Sequence, residues 1–209
     1  MKVVEQSFEM RYPLTIEDWE REMGHIEWAG RTAYKSEERM HGLASAIEFI
    51  KMIIGRKHYP VIEFGNMIVK FVTDRGISHE IVRHRLCSFV QESTRYCNYS
   101  GNKFDNQCTF IKPSGMGNCY GFEDHCRASE QAYLGALAAG RSPQTARSLL
   151  PNALKTEIVV KANFREWRHI FQLRAISKAA HPDMRALMIP LYQHCRNVCP
   201  EVFEMGDPE

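Results

Sequence analysis

Arg83-His84-Arg85, seven intervening residues and then Ser93-Thr94-Arg95-Tyr96 form the densest cluster of chemistry-bearing side chains in this 209-residue chain. Three guanidiniums and an imidazole fall within thirteen positions, beside the hydroxyls of Ser88, Ser93 and Thr94. Like charges this close repel by about 0.5–2 kcal/mol per pair at dielectrics between water and protein surface, so the cluster calls for an anion. Arginine's planar five-donor fork matches phosphate and carboxylate oxygens, and hydroxyls with backbone amides complete such sites. A bound phosphate ester is the simplest partner. Taken alone, the RHR triplet reads more simply as a solvated basic face on one helix.

Other stretches widen the pattern. They are His58-Tyr59-Pro60-Val61-Ile62-Glu63 upstream, then Ala146-Arg147 with Leu150-Pro151, Asn163-x-Arg165, and Gln172-Leu173-Arg174-Ala175. RHR, seven residues, then Ser-x-Arg-Tyr, with these segments in this order over residues 55–180, resembles the flavin-dependent thymidylate synthases. The resemblance implies reductive methylation of dUMP to dTMP, with 5,10-methylenetetrahydrofolate as carbon donor and NADPH-reduced FAD as hydride donor. It implies that dUMP is held by Glu80, Arg83, Gln91, Glu92, Ser93, Thr94, Arg95 and Arg147, with Arg174 as the catalytic group that polarises the pyrimidine. It gives FAD to His58, Pro60, Glu63, Arg83, His84, Arg85, Gln91, Asn163, Arg165 and His169, and implies a cytoplasmic homotetramer with shared active sites. This chain departs from the family at Glu80, where many members have Gln and where a carboxylate offers acceptors only. It departs again at Gln91 and at Pro60, which replaces a small hydroxyl residue.

The residues support part of this independently. Trp167, Ile170, Phe171 and Arg174 fall at i, i+3, i+4 and i+7, so the Arg174 guanidinium is directed inward, where an unpaired charge costs several kcal/mol. It needs an acceptor, either a ligand or an internal salt bridge. Arg165 and His169 share another face of the same helix. Cys87, Cys97, Cys108 and Cys119 sit in no setting that marks a thiolate nucleophile, and Ser93 has no histidine base at a fixed neighbouring position. His181, His194, Cys195 and Cys199 lack a paired metal-ligand spacing, and Cys195 lies on an apolar stripe, so no metal is expected. A flavoprotein of another reaction type that binds a nucleotide is the nearest alternative activity.

The elements that position these groups follow from periodicity. Thr15 and Asp18 form a capping box before Trp19, Met23, Ile26 and Ala33, a first amphipathic helix. Ile47, Ile50 and Ile54 mark a second, stopped near Gly55. Residues 61–73 alternate as a strand, and 108–111 make a shorter one ended by Pro113, with loop over 113–121. Cys126, Tyr133 and Leu137 mark a third helix, Pro143 opens a short one, and Pro151 ends it. Residues 156–162 form another strand. Asn163 with Glu166 caps the Arg174 helix. The last helix carries Met184, Leu187, Met188, Leu191, Cys195 and Val198, with Pro190 as a kink. Strands that are grouped, not strictly alternating, give an α+β class: a single domain over residues 1–209, with helices bracketing a small, mostly antiparallel sheet. The resemblance gives it the thymidylate synthase-complementing fold.

Composition sets the outer limits. With 27 Lys and Arg against 25 Asp and Glu, the formal charge of +2 is too balanced for a protein that grips polynucleotide backbones, so no nucleic-acid partner is expected. No apolar run reaches the length of a membrane span, and the N-terminus lacks the apolar stretch of a secretory signal. Seven scattered cysteines, an odd number, fit reduced thiols in the cytoplasm.

Overall fold

A computed structural model describes residues 1–116 and 121–208. In chain order the elements are β1 (Lys2–Val4), β2 (Ser7–Tyr12), α1 (Ile16–Tyr34), α2 (Leu43–Gly55), β3 (Asn66–Asp74), α3 (Arg75–Ile81) and β4 (Ser88–Gln91). They continue as β5 (Thr109–Ile111), α4 (Phe122–Ala138), α5 (Pro143–Ala146), β6 (Lys155–Asn163), α6 (Phe164–Phe171), α7 (Pro182–Val198) and α8 (Pro200–Phe203). The α+β expectation holds: helices bracket a four-stranded sheet of order β2-β3-β6-β4, and a separate ribbon pairs β1 with β5 in parallel. Among the described residues no helix is long and apolar enough to cross a membrane.

The chain forms two compact units. One comprises residues 1–7, 71–83 and 90–159; the other comprises residues 8–70, 84–89 and 160–209.

The first unit is organised around Tyr99, Cys108, Phe110, Cys126, Tyr133, Ala146 and Leu154. Tyr99 and Tyr133 pack with ring centroids 5.8 Å apart, and the Tyr133 hydroxyl accepts from the Tyr99 N–H at 3.3 Å. Burying that hydroxyl without a partner would be unfavourable, so the bond fixes how α4 meets the loop before β5.

The second unit has an aromatic core. Trp19 stacks on Phe164 at 5.7 Å, and Phe171 meets Phe203 edge-on at 5.8 Å. Buried indole and phenyl rings each contribute a large apolar area here, and offset or edge contacts add to it. The Trp167 indole N–H donates to the Met67 carbonyl at 3.1 Å, tying α6 to β3. Gly65 permits this approach: a Cβ there would lie 2.5 Å from the Phe164 ring, while the Phe164 N–H donates to the Gly65 carbonyl at 2.8 Å. The Cys195 thiol packs against Met67 sulfur at 3.6 Å, as expected of a core cysteine.

Most helices lie where the periodicity puts them. The Thr15–Asp18 capping box forms in both directions, and α1, α2, α4 and α7 cover their expected residues, while the short helix opened by Pro143 stops at Ala146 and continues as a 3-10 turn, Arg147–Leu149, before Pro151. The apolar stripes run out at helix ends, where Ala33 and Val198 are exposed. The strand expected over 61–73 begins only at Asn66, because Tyr59–Phe64 wind into a 3-10 helix whose first turn contains Pro60. Part of the loop expected over 113–121 is a 3-10 turn, Ser114–Met116; residues 117–120 lie outside the described ones. Three strands, β1, β2 and β4, and the helices α3 and α8 were not anticipated.

Candidate active site

In the first unit, Asp74 caps α3 by accepting the Ile77 N–H at 2.7 Å. That cap starts the helix at Arg75, so Arg75 and His79, at i and i+4, share one of its faces. Both line a cavity of about 440 Å³ together with Thr94, Gln144, Arg147 and Asn152. Among the described residues that line it there is no carboxylate, but there are a histidine and two arginines. Hydrogen bonds hold them in place. Arg147 Nη1 donates to Thr94 Oγ1 at 3.1 Å, and Arg75 Nη1 donates to the Glu92 carbonyl and to Thr156 Oγ1, each at 3.3 Å. Arg95 Nε donates to the lining residue Gln144 at 3.0 Å, and the Arg95 N–H donates to Ser93 Oγ at 3.4 Å. Of the arginines expected at the nucleotide, Arg147 lines this cavity with Thr94, and Arg95 with Ser93 lies beside it.

Gln91 and Glu92 are not among the residues that line this cavity. The Gln91 amide donates to Ser78 Oγ at 2.9 Å and to Thr156 Oγ1 at 3.2 Å. Glu92 accepts from the Tyr99 hydroxyl at 2.9 Å and from Lys155 Nζ at 3.0 Å, and lines a separate cavity of about 180 Å³. Glu80 is half-buried at the end of α3, and Arg83 is exposed just beyond it. The RHR triplet is therefore not a helix face: α3 stops at Ile81, the chain turns, and His84 is buried while Arg83 and Arg85 face solvent.

The second unit holds Arg174 and most residues expected to meet FAD. Asn163 caps α6 as expected, its side-chain oxygen accepting the Glu166 N–H at 2.9 Å. Trp167 and Phe171 point into the core while Arg165 and His169 are exposed, the two-faced arrangement read from their spacing. Arg174 lies not on α6 but on the π-helical turn that follows it, Gln172–Ile176. A widened turn of this kind re-aims side chains and recurs at functional sites. Arg174 Nε donates to His84 Nε2 at 3.2 Å, and His84 Nδ1 lies 3.8 Å from the Glu166 carboxylate. Burial, then the Arg174 charge, then His169 push the His84 pKa down from 6.5 to about 4, so its imidazole is uncharged at neutral pH. His169 sits edge-on to it at 5.9 Å. Arg165 pairs with Glu63 at 2.6 Å, both roughly half-exposed, and His58 and Pro60 are exposed nearby in sequence.

The donor set of this unit fits a flavin nucleotide. Exposed Arg85, Arg165 and His169 suit an anionic diphosphate, and an uncharged, fixed imidazole at His84 suits a flat heteroaromatic ring. Asn163 spends its oxygen on the cap, so its amide would act as a donor.

Sequence reasoning did not single out Arg75 or His79, which line the cavity, and read Glu166 only as part of a cap. Asp74 as an N-cap, followed by two basic side chains four apart, was the available signal for the first pair. Burial pushes the Cys87 and Cys108 thiols up to about 12, with nearby Glu166 and Glu130 acting in the same direction. Neither is a thiolate at neutral pH. Cys119 lies outside the described residues.

Known proteins bear on this arrangement. A flavin-dependent thymidylate synthase of Mycobacterium avium is 31% identical over 200 residues, covering 85% of this chain and 77% of its own. One from Geobacter sulfurreducens is 30% identical over 161 residues, covering 77% and 69%. The crystal structure of a UMP/dUMP methylase, PolB, from Streptomyces cacaoi bound with 5-Br dUMP has the same fold at 18% identity, with a TM-score of 0.73 over 98% of this chain and 96% of its own. The family described as thymidylate synthase complementing protein matches residues 15–201, and with relatives at this identity over most of its length the chain belongs to that family, the flavin-dependent thymidylate synthases.

Proposed function

We propose that residues 1–209 act as one catalytic domain that methylates dUMP to dTMP, taking carbon from 5,10-methylenetetrahydrofolate and reducing equivalents from NADPH through FAD. The observation that carries this reading is the acid-free cavity of Arg75, His79, Thr94 and Arg147, with Arg95 tethered to its wall through Gln144. Such a cavity selects a compact dianion, and the substrate phosphate is one. Family membership supports the rest of this reading, in which the chain works in the cytoplasm as a homotetramer with shared active sites.

The flavin, when bound, supplies hydride. The chain's own residues bind, orient and polarise. Arg75, Arg147 and Arg95 hold the phosphate, with Thr94 fixing Arg147, Gln144 fixing Arg95, and Ser93 and Thr94 offering hydroxyls to it. Glu80 meets the uracil or its ribose as an acceptor. Arg174 faces the pyrimidine carbonyl edge, where charge develops as C5 attacks the one-carbon unit. A preorganised donor aimed at such charge contributes about 3–4 kcal/mol. With Nε donated to His84, the guanidinium plane is already oriented, so little reorganisation is left for the reaction itself. His58, Glu63, His84, Arg85, Asn163, Arg165 and His169 hold the flavin. Protonated thiols at Cys87 and Cys108 fit a reaction that needs no cysteine nucleophile.

Release of tritium from 5-labelled deoxyuridylate tests the reading. Release that requires both NADPH and the folate is expected. A yellow protein that binds dUMP but releases no tritium would instead be a flavoprotein of another reaction type.

A further inference from the structure

Glu166 is assigned no part in the chemistry described so far, yet it is a buried carboxylate, 6% exposed, beside an equally buried imidazole. His84 is 5% exposed and has two different neighbours at its two nitrogens. Nε2 receives the Arg174 Nε–H at 3.2 Å, and Nδ1 faces Glu166 Oε1 at 3.8 Å. An imidazole nitrogen that accepts a hydrogen bond carries no proton, so the ring proton sits on Nδ1. At 3.8 Å the carboxylate is beyond hydrogen-bond length, but in a buried setting its charge still favours a proton on the nearer nitrogen. Glu166 is itself fixed, because Asn163 holds its backbone N–H at the first turn of α6.

We infer that Glu166 is a positioning residue for Arg174: by holding the proton of His84 on Nδ1, it keeps Nε2 open to receive Arg174 Nε and so orients the guanidinium toward the pyrimidine. With Glu166 replaced by an apolar residue, the tautomer with the proton on Nε2 gains population. That tautomer sets a donor against the donor of Arg174, and the guanidinium turns away. A glutamine carbonyl oxygen in the same place still turns partial negative charge toward Nδ1–H, so glutamine preserves most of the arrangement and leucine does not. The inference rests on the reading of Arg174 as the pyrimidine-side group, but the state of His84 is measurable without turnover.

Nitrogen-15 NMR of histidine-labelled holoenzyme, with His84 assigned by comparison with His84→Asn, reports the tautomer directly. The expected result is the Nδ1–H form in the wild type, its loss in Glu166→Leu, and its retention in Glu166→Gln. Turnover at saturating dUMP should fall about tenfold or more in Glu166→Leu, with KM changed less than kcat, and recover most of that loss in Glu166→Gln. An Nε2–H tautomer in the wild type overturns the inference even if no variant folds. So does a Glu166→Leu enzyme with unchanged tautomer and turnover. If the tautomer responds as expected but Arg174→Ala turns over normally, the positioning stands and the role given to Arg174 fails.

Discussion

Arg147 reaches back to Thr94, its Nη1 donating to the threonine hydroxyl at 3.1 Å across 53 positions of sequence. The bond joins the end of α5 to the stretch after β4, and Thr94 is buried while Arg147 remains at the cavity surface. A long side chain held at one point loses less freedom when it binds an anion, so the contact preorganises the arginine.

Arg147→Ala should therefore weaken dUMP binding by about 10- to 100-fold, the range of a lost charge-assisted hydrogen bond. Thr94→Val, which keeps the arginine but frees it, should weaken binding by about 3- to 10-fold. Titration calorimetry with dUMP checks both, and the flavin absorbance should be unchanged in each. Equal affinity in wild type and Arg147→Ala would remove this cavity as the phosphate site.

The pH dependence of stability should carry the mark of His84. Above about pH 6.5 the residue is neutral in both folded and unfolded chains. Between pH 6.5 and about 4 the unfolded chain takes a proton that the folded one refuses, because burial and then the Arg174 charge oppose it. Stability is thus lost as pH falls through that window, by about 2–3 kcal/mol from this group, and levels off below it. Urea unfolding of wild type and His84→Asn from pH 8 to 4 isolates the effect from the carboxylates, and the difference between the two curves should narrow as pH falls.

Cys87 provides a test of the chemistry that the site does without. With its thiol pushed up to about 12 by burial and by Glu166, it should react slowly with iodoacetamide at pH 8 in the folded enzyme. Cys87→Ala should keep turnover within about twofold. A loss of several hundredfold with dUMP binding intact would instead make it the nucleophile.

What was legible in the sequence was local. The α1 capping box, the Asn163 cap and the Trp167–Phe171 stripe depend on spacings of three and four, which a helix imposes regardless of the rest of the chain. The strand β4, Ser88–Gln91, is too short for alternation to register, and α3 contains Gly76 and β-branched Ile77 and Ile81, so its propensity is poor without the Asp74 cap. The candidate site was legible as a set of residues but not as a set of pairs. Arg147 with Thr94, and Arg174 with His84 across 90 positions, are brought together by tertiary packing, which no periodicity encodes. The π-turn that carries Arg174 was invisible for a related reason, since the apolar stripe of α6 extends to position 174 as though the helix continued.

Arg174 itself separates structure from catalysis. If it served as an internal ion pair, Arg174→Ala would leave a buried charge unpaired and the protein would fail to fold. As the pyrimidine-side donor its removal costs transition-state stabilisation, so Arg174→Ala should fold, remain yellow, and lose about 10²- to 10³-fold in kcat. A further readout follows from its neighbour. The Arg174 charge is the second-largest influence holding His84 unprotonated, so without it the imidazole should titrate closer to its ordinary value of 6.5. Histidine NMR titration of wild type and Arg174→Ala measures that shift. A variant with the shift and without turnover has lost the donor while keeping the site around it; a variant with neither has never held the guanidinium against His84.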